Sequence, residues 1–450
     1  MSVSEQKIVL PFYQTQKGLI EYFKQSFKFR LDPNDIPIRF AVTSNDEQGY
    51  VCEIGTLQEK SSYGDLEIPS IFDFCHRNTE DITSFNAVFV IPTGIGAEIG
   101  GHAGDGTPVA RMLAESCDTI ILHPNVINAS DINEAPENSL YLEGSIITRL
   151  LMGTIGLQRT RTNRILVVID GDHEDIFVNA TLNSVNAARA CYGVQISDVL
   201  KLIPPVRLKA EYSESGRSTG MIDNLSFLFE ELAKRREDFD AVAIASVVDI
   251  TDGSVLDYFG SDGKTVNPWG GVEAMLTHAI SIVFNVPSAH APMMESQEIA
   301  SADLGVTDPR MAAEAVSMTF LNCVLKGLQK SPQIVTDISL FNRPEIITAS
   351  NVSCLIIPDG CLGLPTLAAL EQGIPVIAVK ENRNLMKNDL SLLPWGPDQF
   401  YLVENYLEAS GVINALKAGI AMDSLRRPIS QTEAHEVINS QTEKISINKS

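Results

Sequence analysis

From residue 86 onward, the spacing of hydrophobic and polar positions changes in a regular way along the chain. Short continuous apolar runs, as in strands buried on both faces, alternate with longer stretches that have the spacing of amphipathic helices. The apolar runs predict strands at 87–91, 119–122, 164–169, 206–211 and 241–248. The longer stretches predict helices at 108–116, 143–154, 178–190, 220–236, 271–283 and 310–328. This alternation predicts an α/β fold with mostly parallel, Rossmann-like sheets, helices on both faces, and two or more domains.

Changes in composition divide the chain into four predicted units. The N-terminal segment is predicted to be α+β, with a hairpin that pairs 38–42 with 50–54. A polar stretch with a proline at 331–342 ends the main α/β domain, and a smaller α/β domain follows it. The C-terminal residues are polar with few large apolar side chains, which is typical of a disordered tail. The predicted boundaries are 1–85, 86–330, 331–428 and 429–450.

Composition and charge narrow the classes of partner and the compartment. A hydrophobic content of 44% with 20% charged residues is ordinary for a soluble globular protein. The net charge of −23 argues against nucleic acid and against an anionic membrane surface as partners. We find no apolar run of about 20 residues that could span a bilayer, and no signal-peptide pattern at the N-terminus. Seven cysteines without a Cys-x-x-Cys pair fit reduced thiols, so we expect a cytoplasmic protein, with assembly into a homo-oligomer left open.

The glycine-rich stretch 94–106 lies between the first predicted strand of the main domain and a helix start at Thr107 and Pro108, with the threonine as N-cap. It holds six glycines in thirteen residues, which is costly in chain entropy unless the backbone needs them. Backbone N–H groups in such a loop can approach a ligand closely, and the helix behind it favours an anion. We therefore predict the floor of a site for a small anionic ligand. The ligand-binding candidates in this loop are Gly94, Gly96, Glu98, Gly100 and Gly101.

Four motifs in the chain carry a resemblance to a known family. They are Gly-Ile-Gly-Ala-Glu-Ile-Gly-Gly-His-Ala-Gly-Asp at 94–105, His-Pro-Asn-Val-Ile-Asn-Ala-Ser-Asp at 123–131, Trp-Gly-Gly-Val-Glu-Ala-Met at 269–275, and Pro-Ser-Ala-His-Ala-Pro at 287–292. Together they closely resemble a bacterial family catalogued only as a domain of unknown function, over most of residues 85–380. The resemblance implies membership of that family and no particular activity or catalytic residue.

Histidines beside carboxylates supply the candidates for catalysis. Histidine titrates near neutrality and a carboxylate can fix its tautomer, so such a pair suits general acid–base chemistry. The catalytic candidates are His102, Asp105, His123 and His290, the last held between two prolines. Asn125 and Asn128 follow His123 and are predicted to bind the ligand. A structural role in capping turns is the alternative, and His278, within an apolar helix, is predicted to be a core residue.

Two further loops add candidates for binding an anion or a metal. Arg217 and Ser218 stand in a Gly- and Ser-containing loop between a predicted strand and helix, where Arg217 could clamp a phosphate or carboxylate. Asp170 and Asp172 follow an apolar strand and could hold a divalent metal, although an acidic helix start is the favoured explanation of this short motif. The sequence does not identify a cofactor, and it leaves a divalent metal open.

The last motif of interest is the turn at Gly360 and Cys361, with Glu371 behind it. It is similar to the donor half of nucleotide-sugar enzymes, which implies that the turn holds phosphates and Glu371 a ribose. It is also similar to one catalytic cysteine of racemase-like enzymes, which implies that the Cys361 thiolate removes an α-proton. A buried structural cysteine is the third reading.

The favoured function is a soluble enzyme that uses His/Asp acid–base chemistry on a small anionic substrate. This substrate would carry a phosphate or a carboxylate, and a nucleotide-linked substrate is left open. A Cys361-dependent racemase or isomerase acting on a small carboxylic acid is the first alternative. A non-enzymatic protein that senses a ligand or assembles is the second.

Overall fold

The computed structural model describes residues 1–13, 18–46, 48–58, 68–127, 134–251, 253–317 and 320–435. The strands, numbered in chain order, are β1 (Ser2–Pro11), β2 (Asp35–Asp46), β3 (Gly49–Gln58), β4 (Asn86–Phe89), β5 (Thr119–Leu122), β6 (Ser139–Tyr141), β7 (Gly156–Gln158), β8 (Arg164–Asp170), β9 (Gln195–Leu202), β10 (Arg207–Tyr212), β11 (Ser218–Asp223), β12 (Ala241–Ser246), β13 (Val248–Ile250), β14 (Ser288–Pro292), β15 (Gln333–Val335), β16 (Ile346–Ile347), β17 (Val352–Pro358), β18 (Leu362–Gly363), β19 (Val376–Val379) and β20 (Phe400–Val403).

The helices of the described residues alternate with these strands. They are α1 (Leu19–Lys28), α2 (Thr107–Ala114), α3 (Gly144–Leu151), α4 (Asp175–Tyr192), α5 (Leu225–Lys234), α6 (Val255–Phe259), α7 (Gly270–Phe284), α8 (Gln297–Ala300), α9 (Ala312–Val316), α10 (Phe320–Gln329), α11 (Leu364–Gln372), α12 (Tyr406–Lys417) and α13 (Met422–Leu425). The predicted α/β class is confirmed, whereas the Rossmann-like character of the sheets stays a prediction. In the described part of the chain, no helix combines the length and apolar character that crossing a membrane requires.

Two of the sheets are parallel throughout, as the apolar runs predict. The first has the strand order β20-β19-β17-β4-β5-β6, and the second has the order β14-β12-β8-β9. Every residue of β5 and of β12 is buried, which explains why each strand is apolar except for one hydroxyl residue at one end. In the first sheet β4 pairs with β17, so its hydrogen bonds cross the domain boundary that the sequence places at residue 331.

A third sheet is mostly antiparallel and begins with the chain's own N-terminus. Its order is β13-β10-β11-β1-β3-β2-β18, and the predicted hairpin is present in it as β2 and β3. The strand predicted at 206–211 is present as β10, which pairs antiparallel with β11 on one side and parallel with β13 on the other. The predicted helix 220–236 was wrong at its start, because residues up to Asp223 belong to β11 and the helix α5 begins at Leu225. The small fourth sheet is antiparallel, with the order β15-β7-β16.

Helix α7 runs between the sheets and supports the site described below. It packs against β11 and β14 and against helix α3. Eleven of its fifteen residues are buried, so its sequence is apolar around most of the helix rather than along one stripe. The predicted helix 310–328 is two helices, α9 and α10, and residues 318–319 between them lie outside the described residues. Helix α2 begins at Thr107 with Gly106 before it, so Thr107 is the first helical residue and not the predicted N-cap.

Candidate functional site

A cavity of about 200 Å³ lies where the two parallel sheets approach each other. Thr93 and Gly94, from the loop after β4, line one wall with His123 and Asn125 from the loop after β5. The opposite wall is built by β14 and the residues that follow it, and the first half of α7 passes between the two walls. Ligand sites in parallel sheets lie beyond the carboxyl ends of the strands, and this cavity has that position for β4 and β5.

His290 is held at both ring nitrogens beside the cavity. Its Nε2 lies 2.8 Å from Ser246 Oγ at the end of β12, and its Nδ1 lies 2.8 Å from Glu273 Oε1 on α7. The imidazole is 1% exposed, whereas the Glu273 side chain is 23% exposed and faces the cavity. Glu273 lies in the first turn of α7, where the helix dipole stabilises a carboxylate. The arrangement therefore links a cavity-facing carboxylate to a buried imidazole and a buried hydroxyl.

His123 and His278 form a second group, close to Gly144. His123 Nδ1 accepts a hydrogen bond from the backbone N–H of Asn125 at 3.1 Å, so a neutral ring carries its proton on Nε2. Burial, with the positive charges of His278 and Arg39 adding to it, lowers the pKa of His123 to about 3. Burial and then Arg39 lower the pKa of His278 to about 3. Both imidazoles are therefore neutral at pH 7.

Glu143 connects this group to helix α3. It accepts hydrogen bonds from the backbone N–H groups of Ser145 and Ile146, which caps the helix, and it lies 3.2 Å from His278 Nε2. Burial raises the pKa of its carboxyl group. His278 was predicted to be a core residue, yet it lines the cavity together with Glu143.

Glu314 on α9 closes another part of the cavity wall. Its carboxyl group accepts hydrogen bonds from Tyr258 Oη at 2.9 Å, Asn267 Nδ2 at 2.9 Å and the backbone N–H of Ala103 at 3.0 Å. Burial raises its pKa to about 7, so both protonation states are populated at neutral pH. Glu314 is therefore a second titrating group in this wall.

His102 and Asp105 were predicted to form an acid–base pair, and the structure does not pair their side chains. His102 Nδ1 lies 2.7 Å from Tyr258 Oη, and only its backbone N–H approaches Asp105, at 3.4 Å. Burial lowers the pKa of His102 to about 4 and raises that of Asp105 to about 7. Neither lines the cavity, and His102 is connected to it by hydrogen bonds through Tyr258 to Glu314.

The glycine-rich loop serves packing more than ligand contact. Gly94 has φ +78°, and an added Cβ would lie 2.8 Å from Ser218 Cβ. Gly100 has φ +76°, and its Cβ would lie 2.5 Å from the Ile91 side chain. Gly94 lines the cavity, whereas the remaining glycine candidates, Gly96, Gly100 and Gly101, do not. Glu98 is paired with Arg310 at 3.0 Å and Arg383 at 3.2 Å.

Arg217 was predicted to clamp an anion, but its guanidinium group is occupied within the protein. Its Nη2 lies 2.6 Å from Glu5 Oε1 and its Nε lies 2.8 Å from Glu53 Oε2, with all three side chains buried. Arg39 joins this ion cluster at 3.6 Å from Glu5. Ser218, beside it, donates a hydrogen bond to the Pro268 carbonyl oxygen at 2.7 Å, and both residues therefore hold the N-terminal sheet to the rest of the chain.

A second cavity, of about 120 Å³, adjoins the first and contains Cys361 in its wall. His123, His278 and Gly144 line both cavities, so they separate one from the other. Burial raises the pKa of the Cys361 thiol, the opposite of what a reactive thiolate needs. No second cysteine occurs among the described residues of this wall, so the racemase alternative gains no support.

Three further candidates lie away from both cavities. Glu371 accepts hydrogen bonds from the backbone N–H groups of Gly18 at 2.8 Å and Leu19 at 3.0 Å, at the start of α1, so it supports a helix N-terminus. Gly360 has φ +81° and forms a turn that contacts the backbone of Met386. Asp172 is exposed.

The structure offers no assembled metal site in its described residues. Asp170 accepts a hydrogen bond from the backbone N–H of Val247 at 2.9 Å, and burial raises its pKa to about 6. Within the described ranges, no three His, Cys, Asp or Glu side chains are grouped so that they could hold a metal ion. Asn128 lies outside the described residues, so its predicted role in ligand binding stays a prediction.

Several residues of the site were missed by the sequence analysis. Ser246 ends an apolar strand, and a polar residue at that position is the pattern that could have drawn attention to it. Glu273 was noted within its motif without a role, and Glu143 and Glu314 were not considered. Their proximity comes from the packing of separate elements, which no local pattern reveals.

Comparison with known proteins places the chain in a family. Residues 86–426 match the family model described as "Protein of unknown function (DUF3326)", so the chain belongs to that family. A similar protein is an uncharacterised lipoprotein of Synechococcus, 32% identical over 341 residues, which cover 75% of this chain and 92% of the relative. No solved structure matches the chain significantly.

Proposed function

We propose that this member of the DUF3326 family is an enzyme that transfers protons to and from a small organic molecule bound in the larger cavity. The observation that carries the proposal is the hydrogen-bonded chain from Ser246 through His290 to Glu273. It is supported by the 2.8 Å contacts at both imidazole nitrogens and by the exposure of Glu273 to the cavity. A carboxylate whose proton can be relayed to an imidazole is suited to general acid–base catalysis.

In this mechanism Glu273 is the catalytic residue and His290 positions it. When His290 is neutral, Ser246 donates its hydroxyl proton to Nε2 and the ring donates its Nδ1 proton to Glu273. This leaves Glu273 ionised, with Oε2 available to remove a proton from the substrate.

The anionic substrate that the sequence suggested gains no support from the cavity wall. The predicted clamp, Arg217, is paired with Glu5 and Glu53, and no lysine or arginine occurs among the described residues that line this cavity. The wall instead carries several carboxyl groups, and it would repel a carboxylate or phosphate. The proposed chemistry is therefore acid–base catalysis on a molecule that need not be an anion.

A screen for bound molecules and for proton exchange tests the proposal. Purified protein is surveyed by thermal shift against metabolite-like compounds, and each compound that raises Tm is incubated with the protein in D₂O. We expect one or more hits to gain deuterium at a C–H position, as followed by NMR. Glu273→Gln should abolish the exchange while the protein stays folded, and His290→Gln should slow it about 10²- to 10⁴-fold.

His76→Gln is the matched control, because His76 is exposed and does not line the cavity. It should leave both binding and exchange unchanged. Hits that bind without any exchange, or exchange that survives Glu273→Gln at the wild-type rate, would contradict the proposed chemistry. Binding without exchange would favour a ligand-sensing protein.

We also propose a cytoplasmic location, on the composition of the chain. The Synechococcus relative bears the name lipoprotein, so the location needs a direct measurement. Fractionation of the native cells should recover the protein with the soluble proteins. Recovery in the membrane fraction would overturn this proposal.

A further inference from the structure

The wall of the larger cavity has an unbalanced charge. Four glutamates line it, Glu143, Glu273, Glu295 and Glu314, and no lysine or arginine accompanies them among the described lining residues. The undescribed residues next to the wall in sequence, at 128–133, 252 and 318–319, include no lysine or arginine either. Since His123 and His278 have pKa values near 3, they add no positive charge at neutral pH, and the third histidine of the wall, His290, is already paired with Glu273.

Glu273 and Glu314 line the same cavity. Burial is the main cause of the raised pKa of Glu314, and the negative charge of Glu273 raises it further. The Glu314 oxygens already accept three hydrogen bonds, whereas Glu273 Oε2 has no hydrogen-bond partner among the described residues. A positive group between the two carboxyl groups would offset their repulsion and give Glu273 Oε2 a partner.

Aromatic side chains complete this part of the wall. Trp269, one turn before Glu273, lines the cavity with Phe259. Trp269 is held by an edge contact with Tyr258, whose ring centroid is 5.0 Å away. Carboxylates and aromatic faces together are the chemistry that recognises an ammonium group. An anion would be repelled by the carboxylates, and a neutral alcohol could donate a hydrogen bond but would gain no charge attraction.

From this geometry we infer that the cavity binds a small organic amine in its protonated form, with its ammonium group between Glu273 and Glu314 and its carbon skeleton against Trp269. The inference rests on the proposed function, since it uses the same cavity and names the class of substrate.

Binding of a cation here has a second consequence that a neutral ligand does not share. A positive charge beside Glu314 lowers the pKa of that carboxyl group, so the fraction that is protonated at pH 7 releases its proton as the ligand binds. An anion would have the opposite effect and cause proton uptake. Whether the protein releases or takes up protons on binding therefore reports the charge of the ligand.

The test uses primary amines together with their alcohol and carboxylate analogues of matched shape, from butylamine to benzylamine and phenethylamine. Binding to the full-length protein is measured by calorimetry at pH 7 in two buffers of different ionisation enthalpy, which gives the number of protons released. We expect at least one amine to bind at least tenfold more tightly than its alcohol, with proton release, and the carboxylates not to bind.

Glu314→Gln should remove the proton release and weaken amine binding about tenfold, because the amide has no negative charge and does not titrate. The amide has nearly the same volume as the carboxyl group, so the shape of the cavity is kept. Glu404→Gln is the control, since Glu404 is exposed and lies outside the cavity. Binding of a carboxylate, proton uptake, or no amine binding at millimolar concentration would overturn the inference. Amine binding without deuterium exchange in D₂O would uphold it and contradict the proposed function instead.

Discussion

His290 Nδ1 lies 2.8 Å from Glu273 Oε1, which joins strand β14 to the first turn of helix α7 at the edge of the cavity. The same imidazole contacts Ser246 through its other nitrogen. The order of these three groups resembles a hydrolase triad, but the serine is 1% exposed and does not line the cavity. Of the three hydrogen-bonded side chains, it is the carboxylate of Glu273 that faces the cavity. In the proposed chemistry, Ser246 is therefore a positioning residue.

Ser246→Ala distinguishes this assignment from a serine nucleophile. We expect the deuterium-exchange rate to fall about tenfold and its pH dependence to move, because the hydroxyl fixes the tautomer of His290. Removal of a serine nucleophile would instead cost about 10⁴-fold or more. Exchange rates of the two proteins from pH 5 to pH 9 decide between the two outcomes.

Arg217→Met tests whether Arg217 is structural. The substitution leaves the buried carboxylates of Glu5 and Glu53 without their main partner, so we expect it to lower the free energy of unfolding by about 3–5 kcal/mol. Arg111→Met is the control, because Arg111 and its partner Glu134 are each 61% exposed and should contribute less than about 1 kcal/mol. Urea unfolding measures both. Loss of ligand binding at unchanged stability would restore the anion-clamp prediction.

Asp105→Asn should change how stability depends on pH. The pKa of Asp105 is about 7 in the folded protein and about 3.9 in the unfolded chain, so the folded state binds more protons between these values. Its contribution to stability is therefore fully present below pH 4 and is lost as the pH rises to about 7. The variant lacks this loss, so its Tm relative to the wild type should rise from pH 5 to pH 8. Parallel Tm curves would show that Asp105 is not the titrating group.

Gly144→Ala tests the role of the boundary between the two cavities. The added methyl group would lie 2.9 Å from His123 Nε2 and 3.1 Å from His278 Nε2, so both imidazoles must shift. We expect ligand affinity to fall about tenfold or more, with the protein still folded by circular dichroism. Gly411→Ala is the control, because its Cβ would meet no atom within 4 Å. Unchanged affinity in Gly144→Ala would show that the ligand does not reach this boundary.

The sequence analysis succeeded where local patterns decide the structure. The strand predicted at 119–122 is β5, and the helix predicted at 271–283 is α7, which ends at Phe284 and is followed by Asn285 with φ 51°. The sequence analysis failed at β11, because residues 220–223 form too short a segment for an alternation of polar and apolar residues to be recognised. The helical pattern that follows them was therefore extended over these residues. Such a segment becomes a strand only through its neighbours, β1 and β10.

The candidate site was predicted only in part, because local patterns locate some of its residues and distant contacts decide the others. His123, Asn125, Gly94 and His290 do line the cavity, and all four follow or lie in buried strands. Arg217 and Glu371 carried suitable chemistry but are occupied by Glu5 and by the start of α1, over separations of 212 and 353 residues. Whether a charged side chain is free or already paired depends on such distant partners. A single sequence does not reveal them.

The pairing of β4 with β17 also sets the order in which the protein can form. Strand β4 ends at Phe89 and β17 begins at Val352, so the ribosome adds more than 260 residues before this pairing is possible. At about 5–20 residues per second, this edge of an apolar parallel sheet stays unpaired for roughly 15–50 s. Open apolar edges promote association between chains. Newly made chains should therefore need protection by chaperones until residues 352–403 emerge and complete the sheet beneath the cavity.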